Sequence, residues 1–348
     1  MRCSGMSLPL AAVVDASAQV ASTASRLAKR DAIADVLRRS EGDEIEIAVA
    51  FLSGETRQGR IGVGYATLSA ARGSPVAQPV LTLLEVDAAL ARLAATRGKG
   101  SAAERAAQLS ALFGRATAAE QDFLLRLLVG ELRQGALEGV MIDAIAAAAA
   151  LPVAEARRAV MFAGESGAVA RSALTEGRDA LARFTLRLHR PVQPMLAQPA
   201  DDVADALARL GTAAVEWKID GARVQVHKSG DEIAVYTRNL NEVTGSVPEI
   251  VEALRQVRAR ELVLDGEAVA LADGGAPLPF QITMRRFGRK LDVARMRAEL
   301  PLAVYFFDCL YRDVALDIST DIVVLEQLLE RDGLQDRQGA PGASETKE

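Results

Sequence analysis

Apolar residues recur at helical spacing through the first half of the chain. Over residues 15–39, Val20, Leu27, Ile33, Val36 and Leu37 follow that spacing with no Gly or Pro between them, which predicts a helix. The same periodicity predicts helices over residues 86–95, 102–113, 118–128, 141–150 and 153–163, separated by short Gly, Pro and Ser breaks. Residues 46–52 fit a strand or a helix equally, and residues 72–75 read as a loop. Roughly eight to ten helices are expected before residue 185, which defines an all-α region.

After Arg190 the pattern changes. Pro191, Pro194 and Pro199 punctuate an extended connector. Short runs of β-type residues follow at 214–219, 223–227 and 233–237, and Ser229-Gly230-Asp231 reads as a hairpin turn. Residues 247–258 predict a helix with Ser246 as its N-cap. Residues 262–271 and 302–311 predict further strands, and Phe280–Phe287 a short helix. This second region is α+β with a mainly antiparallel sheet. No large apolar residue follows Leu334, and residues 339–348 are expected to form a disordered tail.

A length of 348 residues and a hydrophobic fraction of 50% allow two domains or three small ones, each with its own core. The only cysteines, Cys3 and Cys309, lie far apart, which excludes a disulfide framework and a four-cysteine zinc site. His189 and His227 are too few for a metal cluster and read as structural or surface residues. A formal charge of -5 means that any nucleic-acid contact must come from local basic patches. No apolar run reaches transmembrane length. Residues 8–14 read as the lead-in to a helix rather than a secretory signal, and a cytoplasmic monomer is expected.

Glu216-Trp217-Lys218-Ile219-Asp220-Gly221-Ala222-Arg223 carries the densest chemistry. A lysine amine attacks phosphorus only when neutral, and burial or nearby positive charge favours that state. Arg223 can supply such charge and can grip phosphate oxygens with its planar fork. Asp220 would shape the turn after Lys218, and Gly221 would supply unusual backbone torsions. Read alone, the pattern fits an exposed lysine before an Asp-Gly turn equally well.

The segment resembles motif I of the covalent nucleotidyltransferases, which include ATP-dependent DNA ligases, RNA ligases and capping guanylyltransferases. Later motifs follow in order. Tyr236-Thr237-Arg238-Asn239 resembles motif Ia, Leu264-Asp265-Gly266-Glu267 motif III, and Tyr305-Phe306-Phe307-Asp308 motif IIIa. The wording is most similar to ATP-dependent DNA ligases of the actinobacterial B type. Gly98-Lys99-Gly100-Ser101 and Gly130-Glu131-Leu132-Arg133-Gln134-Gly135 resemble the helical DNA-binding domain that precedes the core of larger ligases.

The resemblance implies a multidomain fold. A helical DNA-binding domain would occupy residues 1–187, and an α+β nucleotidyltransferase domain with an ATP-grasp-like antiparallel sheet residues 188–335. A tail of residues 336–348 would follow. It implies that Lys218 attacks the α-phosphate of ATP to form a covalent lysyl-AMP. The AMP then passes to a 5′-phosphate at a nick in double-stranded DNA, and a 3′-hydroxyl displaces it, as in replication, recombination and repair. Glu216 would accept a hydrogen bond from the adenine amine. Arg223 and Arg238 would face the ribose and phosphates, Glu267 would contact the ribose and help to place Mg2+, and Phe307 would stack on the adenine. Phe306 and Phe307 point to opposite faces of their strand, so one can be core while the other reaches the pocket. Arg285, Arg286, Arg289 and Lys290 form a basic cluster that suits either the DNA backbone or a solvated helix face.

The resemblance ends near Asp313. No Glu-Gly strand of motif IV, Lys-x-Lys pair of motif V or OB-fold follows, so impaired activity is expected. Two rivals stand beside this reading. One is another covalent nucleotidyltransferase such as an RNA ligase or capping enzyme, and the other is a catalytically inactive DNA-binding protein.

Overall fold

The computed structural model describes residues 7–132, 138–194, 199–213, 218–272, 275–287 and 292–315. The chain divides into two compact units that meet in sequence at Thr185 and Leu186.

The first unit contains ten α-helices among the described residues: α1 (Leu10–Ser22), α2 (Arg26–Arg39), α3 (Asp43–Leu52), α4 (Tyr65–Ala71), α5 (Leu83–Ala95), α6 (Ser101–Phe113), α7 (Ala118–Val129), α8 (Glu138–Ala148), α9 (Val153–Ala163) and α10 (Ser166–Thr175). A 3-10 turn at Arg178–Arg183 closes it. Val13, Ile33, Leu37, Phe51, Leu90, Phe113 and Phe123 belong to one shared core.

Two local outcomes differ from or decide the sequence reading. The expected continuous helix over residues 15–39 is broken. The Thr23 hydroxyl accepts from the Ser25 N–H at 3.1 Å, and the Ser25 hydroxyl accepts from the Ala28 N–H at 3.3 Å, capping α2. Ser and Thr side chains compete for backbone partners and so convert a uniform helical pattern into two helices. The ambiguous residues 46–52 lie in α3. Its first turn carries Asp43, Glu44 and Glu46, which suit the positive end of the helix dipole. Ile45, Ile47, Ala48, Val49, Phe51 and Leu52 are all buried, so α3 is apolar nearly all round and its alternation cannot be told from that of a strand.

Among the described residues, the second unit forms a five-stranded antiparallel sheet in the order β2-β1-β3-β4-β5. Its strands are β1 (Ala222–Ser229), β2 (Glu232–Thr237), β3 (Glu261–Ala270), β4 (Leu302–Arg312) and β5 (Val314–Ala315). β1 and β2 form a hairpin whose turn includes Gly230 at φ 59°. Helices α11 (Val203–Leu210), α12 (Pro248–Gln256), α13 (Phe280–Phe287) and α14 (Val293–Glu299) accompany the sheet. One sheet face packs Val224, Val226, Val235, Leu262 and Leu264 against Ile250 and Leu254 of α12. Ser246 is not the N-cap of α12. It lies in a 3-10 turn (Thr244–Ser246), and Pro248 opens the helix, its missing N–H and fixed φ suiting that position. The proposed strand over residues 214–219 falls largely outside the described residues, and Lys218 and Ile219 are in no strand.

Two cations of this unit, Lys228 and Arg286, are internal. The buried Lys228 ammonium donates to the Leu254 carbonyl at 3.0 Å and to the Val257 carbonyl, holding the C-terminal end of α12, where a cation also suits the dipole. Arg286 is 1% exposed at its side chain and pairs with Glu249 of α12 at 2.6 Å. It therefore ties α13 to α12 and offers nothing to a DNA backbone, which corrects that part of the basic-cluster expectation. Arg285 is exposed, while Arg289 and Lys290 lie outside the described residues. Among the described residues no helix is long and apolar enough to cross a membrane.

Candidate nucleotide site at one end of the sheet

The second sheet face carries the chemistry. Side chains alternate along a strand, so Arg223, Gln225 and His227 of β1 share the face of Asp265 and Glu267 of β3. Arg223 pairs in register with Glu267, Gln225 with Asp265, and Glu267 with Tyr305 of β4. Lys218 lies just ahead of β1, and Arg238 just after β2, so both fall at this same end of the sheet.

Arg223 makes a two-pronged pair with Asp265. Its Nε donates to Oδ1 at 3.0 Å and its terminal nitrogen to Oδ2 at 2.6 Å. The Asp265 side chain is only 6% exposed, and the pair holds the Arg223 guanidinium charge more firmly than usual. The guanidinium carbon lies 5.6 Å from the centroid of the Phe307 ring, a cation–π contact. Phe306, on the opposite face, packs against the core with α12. The adjacent aromatics thus face opposite sides of the sheet, as strand alternation predicts.

Glu267 accepts a hydrogen bond from the Gly221 N–H at 3.0 Å. Its carboxyl is pushed above the ordinary value by desolvation, against the pull of that N–H and of the Arg223 and Lys218 charges. Gly221 does not adopt a left-handed torsion. Its role is close approach, because a Cβ there would sit 2.4 Å from the Ala268 carbonyl oxygen and 2.8 Å from Val269 Cγ2. Gly266 is equally tight, with the Tyr305 carbonyl oxygen at 2.5 Å from a built Cβ. Asp265-Gly266 is therefore mid-strand rather than a turn, and it lies at a shift in the β3–β4 register.

Lys218 departs from expectation. Its side chain is 86% exposed, and its ion-pair partner is the exposed carboxylate of Asp220 at 3.6 Å. Arg223 spends its charge on Asp265. Arg238 is exposed in the turn after β2 and has no ion pair among the described residues. Glu216, the expected adenine contact, lies outside the described residues. Five of the six expected site residues are thus among the described residues, and Lys218, Arg223, Arg238, Glu267 and Phe307 gather at one end of one sheet. Asp265 was missed as the partner of Arg223, because the pairing depends on the β1–β3 register and not on any local pattern.

Further along this face, His227 is fully buried and its imidazole is held down to about 4 by desolvation and by the neighbouring His189. Both histidines are structural. A buried neutral histidine with an ordinary value near 6.5 in the unfolded chain makes folding weaker as pH falls. Its contribution is complete above about pH 6.5 and is lost on the way down through about pH 4, a change of up to about 3 kcal/mol. Urea unfolding at a series of pH values should show that loss. The His227→Gln variant should show a shallower slope between pH 6.5 and 4, and equal slopes would contradict the assignment.

A family model described as "ATP dependent DNA ligase domain" matches residues 194–333, and one described as "DNA ligase N terminus" matches residues 65–146. A "Probable DNA ligase" of Anaeromyxobacter sp. (strain Fw109-5) is 58% identical over 306 residues, covering 87% of this chain and 59% of the relative. A "Probable DNA ligase" of Sorangium cellulosum (strain So ce56) is 51% identical over 341 residues, covering 96% of this chain and 64% of the relative. A solved structure named "Pmar-Lig_Pre." shares the fold, with TM-score 0.52, 17% identity and coverage of 92% of this chain and 64% of that one. The chain belongs to the ATP-dependent DNA ligase family. It spans about three fifths of the length of the curated relatives it matches.

Proposed function

We propose that the sheet unit is the adenylating part of an ATP-dependent DNA ligase, with Lys218 as nucleophile. The supporting observation is convergence. Residues from four separated motifs meet at one sheet end, where Gly221 N–H holds Glu267 and Asp265 holds Arg223 over Phe307. In the reaction, the Lys218 amine forms a bond to the α-phosphorus of ATP. The bond from that phosphorus to the bridging oxygen breaks, pyrophosphate leaves, and the amine gives up its proton to solvent. Such transfer depends mainly on positioning and on neutralising phosphate charge. Arg238 is free to supply charge. Arg223 acts first as a fixed plate beside Phe307, because both of its prongs are engaged. Phe307 and Glu216 are assigned to the adenine.

Magnesium binds through one or two carboxylates together with substrate phosphates. Glu267 fits that pattern, being a half-buried carboxylate whose charge is disfavoured by desolvation. Asp265 does not, because Arg223 takes both its oxygens. Mg2+ held by Glu267 would neutralise phosphate charge. Labelling by α-phosphate-labelled ATP tests the assignment of Lys218.

The helical unit is assigned to nicked double-stranded DNA. Gly98 and Gly100, at φ 95° and 86°, open α6 with no side-chain cap, leaving backbone N–H groups beside the exposed Lys99. Phosphate contacts of this kind release counterions. A fragment of residues 1–185 should bind nicked and intact duplexes alike, and its affinity should fall tenfold or more, roughly, between 50 and 200 mM salt. Lys99→Ala should weaken binding for every sequence. A fragment that is folded yet binds no duplex at 50 mM salt would remove this assignment.

A further inference from the structure

The face that carries Arg223 and Asp265 also carries a buried polar cluster to which no step of the proposed adenylation assigns a role. Gln225 and His227 follow Arg223 at alternate positions of β1, and Tyr236 of β2 pairs with Gln225 in register. Together these side chains hold a short strap, His189–Val192, against the sheet. The His189 N–H donates to His227 Nδ1 at 3.0 Å, and the Tyr236 hydroxyl donates to the His189 carbonyl at 3.0 Å. The Val192 N–H donates to Gln225 Oε1 at 2.7 Å, while Gln225 Nε2 donates to the Val192 carbonyl at 3.3 Å. His227 Nε2, which bears the ring proton because Nδ1 accepts, donates to the same Gln225 oxygen at 2.9 Å. His227 meets Tyr236 edge-on with centroids 5.2 Å apart. Val192, Gln225, His227 and Tyr236 are all buried.

The arrangement is unusual in what it avoids. Backbone groups of His189 and Val192 are satisfied by side chains rather than by a ladder. Every polar end of the Gln225 amide is therefore committed, and its position is fixed by strap and histidine together. Gln225 stands directly across from Asp265, whose carboxylate takes both prongs of Arg223 beside Phe307. We infer that Gln225 and His227 are positioning residues for the nucleotide site: by locking the His189–Val192 strap onto the sheet they hold Asp265, and through it Arg223, in place. This inference rests on the adenylation reading for its consequence but not for its geometry.

The test compares Gln225→Leu with Leu254→Ala, a core change on the opposite sheet face that also lowers stability. The full chain is used in both cases, at a temperature where both variants are folded. The first readout is proton exchange of the Arg223 Nε–H, which donates to Asp265. The second is the dissociation constant for ATP with Mg2+. Gln225→Leu should speed Arg223 Nε–H exchange and weaken ATP binding by about tenfold or more, as small misplacements do. Leu254→Ala, matched for loss of stability, should leave both near the parent value. His227→Gln, which retains a donor near the Nε2 position, should fall between parent and Gln225→Leu in Arg223 exchange. Equal Arg223 exchange in Gln225→Leu and Leu254→Ala would overturn the inference, as would parent-like exchange in Gln225→Leu. Failure of the parent chain to bind ATP would count against the adenylation reading alone, since the exchange comparison still decides the positioning role.

Discussion

Lys218→Ala should leave the protein folded and reduce its labelling by α-phosphate-labelled ATP to background. The side chain is almost fully exposed and its partner Asp220 is exposed too, so the substitution should change stability by no more than about 0.5 kcal/mol. The loss would be chemical, because the amine is the atom that forms the new bond. Lys218→Arg should be equally inactive, since a guanidinium keeps its proton and cannot attack. Lys99→Ala, at an exposed site in the other unit, should label like the parent. Lys228 is a poor control. It is buried against the last carbonyls of α12, and its removal would strand them and damage the sheet unit. Undiminished labelling of folded Lys218→Ala would end the assignment of the nucleophile.

Gly221→Ala should have the second largest effect, although it removes no functional group. The added methyl would lie 2.4 Å from the Ala268 carbonyl oxygen, a backbone atom that cannot retreat without opening the β1–β3 pairing at Ala222 and Ala268. It would also press on Glu267 Cγ at 3.0 Å, the very side chain that Gly221 N–H holds. Overpacking of this kind should destabilise the sheet unit by about 3 kcal/mol. Displacement of Lys218 and Glu267 should slow adenylation by about a hundredfold in the protein that remains folded. Denaturant unfolding and single-turnover labelling measure the two effects separately. A variant with parent-like stability and rate would show that the strands are not as close as 2.4 Å requires.

The order of the motifs was legible because each is a contiguous string, and strand alternation correctly separated Phe306 from Phe307. The helical first unit was legible from its periodicity. What stayed hidden depends on contacts distant in sequence. Asp265 as the partner of Arg223 requires the β1–β3 register, which no local pattern reveals. The burial of Arg286 was not foreseen, because sequence does not show that α12 supplies Glu249 to receive it. The break between α1 and α2 was missed because the side chains of Thr23 and Ser25, not a Gly or Pro, make it. Gly221 was assigned to torsional freedom, whereas its place is set by a neighbouring strand. The exposed position of Lys218 differs from the buried environment expected of a neutral amine.

The central claim is that this sheet end transfers a nucleotide to one particular lysine. Peptide mapping by mass spectrometry after incubation with ATP and Mg2+ tests it most directly. A single acid-labile adenylate adduct is expected, carried by the peptide containing Lys218 and absent when Mg2+ is chelated. An adduct on any other residue, or none on a chain shown to be folded and saturated with ATP and Mg2+, would contradict it.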